Sequence, residues 1–306
     1  MRIFVTGASG WIGSAVVPGL LAAGHRVVGL ARSDAAADTL TTAGAEVVRG
    51  TLDDLGLLRD TAAGSDGVIH LAFKHDIAFT GDFQGAVEAD RRAVDTFGDA
   101  LAGSDRPFVI ASGFAGFPAG RTVTERDRPA ADGSPVSVRA TTAEAVLALA
   151  ARGVRSSVVR LSPTCHGEGD NGFMASLVAI ARDKGVSGYL GDGANRWPAV
   201  HRLDAARLFQ LAVEQAPAGS VLHGVAEEGV PMREVAEVIG RHLDVPVAAI
   251  APEAAAGHFT WLSGFVGMDV PASDALTREL LDWKPTGPGL LADLDEGHYF
   301  RAPATA

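Results

Sequence analysis

Residues 6–13 read TGASGWIG, directly after the short β-branched run 3–6 and at the opening of an Ala/Leu-rich stretch. The glycines fall at Gly7, Gly10 and Gly13, a Gly-x-x-Gly-x-x-Gly spacing at a strand-to-helix turn. Such a turn needs positive φ at the first glycine. The second lets backbone approach a pyrophosphate, and the third lets the helix pack on the strand. The free amides and dipole of the helix N-terminus then meet phosphate charge. The spacing therefore predicts a dinucleotide site built on Gly7, Ser9, Gly10, Trp11, Ile12 and Gly13. Pro18 falls inside the following helix and is expected to distort its second turn.

Outward from this loop the first 160 residues alternate β-branched runs (3–6, 26–30, 45–49, 67–71, 107–111, 154–161) with stretches long enough for crossover helices. That rhythm predicts an α/β fold: a Rossmann doubly wound parallel sheet of at least six strands. After Pro163 the rhythm changes. Helical stretches near 172–184, 202–216, 231–243 and 273–282 are separated by strand-like pieces at 220–225 and 245–250, with Gly191, Gly193 and Asn195 marking a loop. The expected organisation is a nucleotide-binding Rossmann domain over 1–165, a mixed segment over 166–225 that completes it, and a small C-terminal substrate-binding lobe with a closing helix over 226–306.

With 306 residues, 47% of them hydrophobic, the chain can build this core. A formal net charge of −11 disfavours nucleic acid and anionic membranes as partners and favours a small-molecule substrate. The single cysteine, Cys165, fits a reducing, cytoplasmic setting. A strand starting at Arg2 leaves no room for a leader, and no apolar run reaches membrane-spanning length. The nine histidines show no His-Glu-x-x-His pattern, and no metal is expected.

The motifs resemble the short-chain dehydrogenase/reductase superfamily, in its extended and atypical (epimerase/dehydratase-like) branch, over nearly the whole chain. TGASGWIG matches the branch's TGxxGxxG. His70-Leu71-Ala72 matches its His-Leu-Ala, residues 108–112 its fifth strand, RLSPTCHG at 160–167 its Arg-Pro…Tyr-Gly segment, and PAVHRLD at 198–204 its Val-His-x-x-Asp. The resemblance implies that the loops after Leu71, Ala111 and Leu161 form the site, with Leu71, Ala72 and Phe73 lining the cofactor and the C-terminal lobe closing over it. It also points to residues 85–102 and 137–151 as the helix pair of a possible homodimer.

The end of the second strand indicates NADP, with NADPH preferred over NADH. NAD-specific folds place a carboxylate there. Here Gly29-Leu30-Ala31-Arg32-Ser33 offers the Arg32 fork and the Ser33 hydroxyl to a 2′-phosphate. Where the branch usually ends its third strand Gly-Asp-Leu, this chain has Gly50-Thr51-Leu52-Asp53. Thr51 and Leu52 are expected at the adenine, and Asp53 as the cap of the next helix.

The superfamily's Tyr-x-x-x-Lys catalytic pair is absent. The two tyrosines, Tyr189 and Tyr299, are followed four residues on by Gly193 and Pro303. Alignment on Glu144 and Gly153 puts Val136 at the tyrosine position, Ala140 at the lysine and Gly113 at the hydroxyl. The replacements expected from the sequence are Ser112 to orient an acceptor, Arg139 to restore charge near the ribose, and His166 as a proton donor. Lys74 and His75 are placed to line the substrate side. His201 reads as structural, with Asp204 starting a helix. Trp197, Trp261, Phe259 and Phe265 are candidates for apolar walls. Two functional classes stay open: an NADPH-dependent oxidoreductase reducing a carbonyl or related unsaturated group of a small, fairly apolar metabolite, and a non-catalytic NADP(H)-binding sensor. An epimerase or dehydratase ranks third.

Overall fold

The computed structural model describes residues 1–78, 80–130 and 135–301, with the backbone alone for 135–138. Its strands are β1 (Arg2–Thr6), β2 (Arg26–Ala31), β3 (Glu46–Arg49), β4 (Gly67–His70), β5 (Pro107–Ser112), β6 (Arg155–Leu161), β7 (Thr164–His166), β8 (Ser187–Leu190), β9 (Arg196–His201), β10 (Ser220–Gly224), β11 (Glu227–Pro231) and β12 (Val247–Ile250). Its α-helices are α1 (Gly13–Ala22), α2 (Asp34–Thr42), α3 (Leu55–Ala63), α4 (His75–Ala78), α5 (Phe83–Leu101), α6 (Pro135–Ala148), α7 (Phe173–Lys184), α8 (Arg202–Gln215), α9 (Met232–Leu243), α10 (Ala255–Phe259), α11 (Ala275–Leu281) and α12 (Leu290–Asp295).

Seven strands form one parallel sheet in the order β10-β6-β5-β4-β1-β2-β3. The inner strands β1, β2 and β4 are buried on both faces, which is why they read as continuous apolar runs and not as alternation. One face packs on α1, α2 and α8 through Val16, Leu20, Leu40, Leu208 and Phe209. The other packs on α3, α5 and α6 through Leu58, Val94, Phe97 and Val146. The order reverses between β1 and β4, and the crevice of a doubly wound sheet opens at that switch point.

The stretch 166–225 divides between the two parts of the molecule. α8 and β10 complete the nucleotide sheet, whereas α7, β8 and β9 build the lobe. There β11, β9 and β7 form one small sheet, and β12 pairs with β8 in another. The lobe has its own core of Met174, Trp197, Val235, Ile239, Phe259 and Leu290. Trp197 and Phe259 are thus core residues, not walls of a ligand site. Asp204, in the first turn of α8, accepts the Thr286 and Gly287 amides and ties the C-terminal run to the sheet. His201 caps α8 by accepting the Leu203 amide. Residues 302–306 of the expected C-terminal lobe lie outside the described residues. No described helix is long and apolar enough to cross a membrane.

Candidate functional site

A cleft of about 1260 Å³ opens over the carboxyl ends of the parallel strands. Each strand contributes the residues just past its end: Gly7 to Gly13 after β1, Arg32 and Ser33 after β2, Thr51 and Leu52 after β3, Leu71 to Phe73 after β4, Ser112 and Gly113 at β5, and Leu161 to Pro163 after β6. All of the cofactor-binding residues expected from the sequence line it.

Steric facts fix the glycine loop. Gly7 has φ +65°, and a Cβ there would stand 2.7 Å from the Ala72 nitrogen. A Cβ on Gly13 would stand 2.1 Å from the Gly7 carbonyl oxygen. These two glycines let β1, the β4 loop and α1 converge. Gly10 and Ser9 are exposed to the cleft. Among the described residues, the Trp11 and Ile12 amides take no hydrogen bond, while Gly10 donates to the Gly7 carbonyl at 3.0 Å. Free amides ahead of a helix are what a pyrophosphate needs. The Trp11 indole donates to the Cys165 carbonyl at 2.9 Å, and Arg202 lies 4.4 Å over its ring, so the loop is braced against the start of the lobe.

The β4 end is held from behind. Thr6 Oγ1 accepts the Ala72 amide at 3.2 Å and donates to His70 Nδ1 at 2.6 Å, which leaves His70 Nε2–H to donate to Asp90 at 3.2 Å. His70 is 3% exposed. It positions the loop, and its neighbours Leu71, Ala72 and Phe73 line the cleft.

At the adenosine end Arg32 is exposed and pairs with Asp76 of α4 at 2.7 Å. Hydrogen bonding from Arg32 holds the Asp76 carboxyl below its usual range. Ser33 caps α2, its hydroxyl accepting the Ala36 amide at 3.2 Å. Asp53 is not a helix cap. The N-cap position of α3 belongs to Asp54, whose carboxylate accepts the Thr51 amide and hydroxyl, and Asp53 instead pairs with Lys74 at 2.5 Å. Sequence reading gave Asp53 a capping role and did not single out Asp76, because each pairs with a cation distant in sequence.

On the β5 and α6 side Ser112, Arg139 and Ala140 line the cleft, and His75 lines it between Lys74 and Asp76. Among the described residues the Ser112 hydroxyl has no protein partner, so it is available to a ligand. Arg139 lies 4.0 Å over the Phe73 ring, and His75 meets the same ring edge-on at 5.1 Å. His75 is exposed at the rim of the cleft, and desolvation by the surrounding wall, then the Arg139 charge, hold its pKa below its ordinary 6.5. The Val136 side chain lies outside the described residues. Phe173, Trp261 and Phe265 form the lobe's wall, with centroids 5.2–6.2 Å apart.

His166 does not join them. It is wholly buried on β7, its Nδ1–H donating to Asp293 at 2.9 Å, and it is absent from the cleft lining. The expectation that it faces the crevice is corrected by strand geometry. β7 pairs with β9 in the lobe sheet, and its alternation turns His166 inward while Cys165 lines the cleft. Among the described residues Asp293, Glu296 and His298 bring ligand atoms within 4.8 Å of one another. Asp293 there accepts from both His166 and His298.

The chain is 46% identical over 301 residues to the uncharacterized protein C2A9.02 of Schizosaccharomyces pombe, covering 98% of this chain and all of that protein. It is 43% identical over 296 residues to the uncharacterized protein YLL056C of Saccharomyces cerevisiae, covering 96% of this chain and 98% of that one. In fold it is similar to DesIV, a dTDP-glucose 4,6-dehydratase from Streptomyces venezuelae solved with NAD bound. The TM-score is 0.77 at 22% identity, over 96% of each chain. The model of the NAD dependent epimerase/dehydratase family matches residues 3–223. With a doubly wound sheet, a TGxxGxxG loop and a lobe above the switch point, this chain belongs to the NAD dependent epimerase/dehydratase family, in the extended, atypical class of short-chain dehydrogenases/reductases.

Proposed function

We propose that this protein is an NADPH-dependent oxidoreductase that reduces a carbonyl or related unsaturated group on a small, fairly apolar metabolite. The observation that carries the reading is the cleft. Its volume of about 1260 Å³ exceeds the roughly 300–1,000 Å³ of an ordinary ligand site, which leaves space for a second molecule beside a dinucleotide. Gly7 to Gly13 would hold the pyrophosphate, Thr51 and Leu52 the adenine, and Arg32 with Ser33 the 2′-phosphate. When bound, the dinucleotide supplies the hydride.

The protein's part is orientation and a proton. Ser112, at the carboxyl end of β5, offers an unpartnered hydroxyl to the acceptor oxygen. His75 replaces His166 as the candidate acid, because it is the histidine among the described residues that lines the cleft. Two features argue against a nucleotide-sugar epimerase or dehydratase. The Tyr-x-x-x-Lys pair is missing from the sequence. Among the described residues, the lobe's share of the lining, Asp170 to Phe173 with Trp261 and Phe265, brings no lysine or arginine to neutralise a sugar diphosphate. The absent tyrosine also leaves room for a second reading, a non-catalytic NADP(H) sensor. NADPH consumption measured against a panel of ketones, aldehydes and imines tests the proposal. Turnover of any of them supports the enzyme; tight NADPH binding without turnover across the panel favours the sensor.

A further inference from the structure

We propose that the catalytic end of the cleft takes an anionic substrate: an acceptor whose apolar body carries a carboxylate, held by the Arg139 guanidinium. This rests on the reading of the cleft as a reductase site and names its substrate class. The argument begins with how the cleft's cations are engaged. Arg32 is paired with Asp76 and Lys74 with Asp53. Arg160 donates to His223 and to the Asp127 carbonyl. Among the described residues Arg139 alone of these four has neither a carboxylate within ion-pair distance nor an acceptor for its N–H groups. Asp90 is the acidic group whose charge reaches it, and that carboxylate is bonded to His70.

Arg139 is also withdrawn from water. It is half-buried at the cleft wall, and burial lowers its pKa. A partly desolvated cation without a counterion is costly, and an arriving anion relieves that cost. The Phe73 ring covers one face of the guanidinium at 4.0 Å. Stacking leaves the in-plane N–H fork available, the geometry that takes a carboxylate bidentately. Phe73, Phe83, Phe117, Phe173, Trp261 and Phe265 also line the cleft, together with the carboxylates Glu144 and Asp170. Arg160, the guanidinium against Phe117, is already engaged, so Arg139 is the cation in this aromatic surround open to a molecule with one charged group and an apolar body. The cofactor's own phosphates belong elsewhere, at the glycine loop and at Arg32 on the far side of the sheet's switch point.

The test is binding, read by calorimetry on the NADPH-loaded protein, with phenylglyoxylate and its methyl ester as probes. The two share an aryl ketone and differ in charge. The wild type should bind the acid at least tenfold more tightly than the ester. Arg139→Gln should abolish that difference while leaving ester affinity and NADPH affinity unchanged, and Arg139→Lys should retain part of it. Equal binding of acid and ester by the wild type, no binding of the acid at millimolar concentration, or an undiminished preference in Arg139→Gln overturns the proposal. Loss of NADPH affinity in Arg139→Gln with the acid preference intact would instead assign the residue to the cofactor ribose. Because no turnover is read, failure of either probe to be reduced counts against the proposed chemistry and not against the anion seat.

Discussion

Arg32 and Asp76 meet 2.7 Å apart across the mouth of the cleft, with both side chains more than half exposed. An exposed ion pair contributes only about 0–1 kcal/mol, so a 2′-phosphate can displace the carboxylate at little cost. NADPH is therefore expected to bind at least tenfold more tightly than NADH, about 1.4 kcal/mol. Arg32→Asp should abolish or invert the preference, and Asp76→Asn should strengthen NADPH binding up to about fivefold without affecting NADH. Fluorescence titration of both cofactors checks this; equal affinities in the wild type remove Arg32 from the argument. His75→Gln should lower kcat by roughly 10²–10⁴ if the imidazole is the acid. Reduction needs that imidazole protonated, and its pKa lies below 6.5. The rate should thus fall as pH rises through a value below 6.5, and the variant should lose that limb. A wild-type pH profile in His75→Gln would pass the role to solvent.

The glycine loop is an element whose sequence and structure agree because the constraint is local. At this turn Gly7 and Gly13 are sterically required, since a Cβ would stand 2.7 Å from the Ala72 nitrogen at the first and 2.1 Å from the Gly7 carbonyl oxygen at the second. Gly10 differs, since its missing side chain faces the cleft. Gly10→Val should block cofactor binding and leave the circular dichroism spectrum intact, whereas Gly13→Ala should cost stability, about 1–3 kcal/mol for overpacking. Retained NADPH affinity in a folded Gly10→Val protein would relocate the nucleotide. The inner parallel strands were equally legible, because burial on both faces writes them as apolar runs. His166 was not. Its distance from the sixth strand is short in sequence, but side-chain direction depends on how β7 pairs with β9, and that pairing joins residues more than thirty apart. The engagements of Asp53, Asp76 and Asp293 were hidden for the same reason: each partner arrives from a separate element.

Over the whole molecule a buried polar chain ties the C-terminal run to β7 and to the 167–172 wall of the cleft. Asp293 of α12, 2% exposed, accepts from His166 at 2.9 Å and from His298 at 3.1 Å. Next in the chain, Tyr299 donates to Asp170 at 2.9 Å and accepts the Gly167 amide at 3.2 Å. Asp170, Asn171 and Gly172 line the cleft, so the packing of the C-terminal run sets the position of one cleft wall. Burial pushes the Asp293 carboxyl up, but the two imidazole hydrogen bonds outweigh it and hold the pKa below 3.8. A carboxylate depressed in the fold stabilises it above the unfolded value of about 3.9 and loses that contribution as pH falls through the lower folded value. Each hydrogen bond to a charged group is worth about 1.5–3 kcal/mol, so Asp293→Asn should destabilise the protein on the order of 3 kcal/mol at neutral pH. The difference from wild type should shrink on acidification below pH 4. Tyr299→Phe, which releases Asp170 without touching that carboxylate, should cost less stability yet loosen the cleft wall and weaken NADPH binding. Urea denaturation at several pH values, paired with cofactor titration, separates the two effects. An Asp293→Asn midpoint equal to wild type at pH 7 would show that the chain does not hold the lobe, and unchanged NADPH affinity in Tyr299→Phe would uncouple the C-terminus from the site.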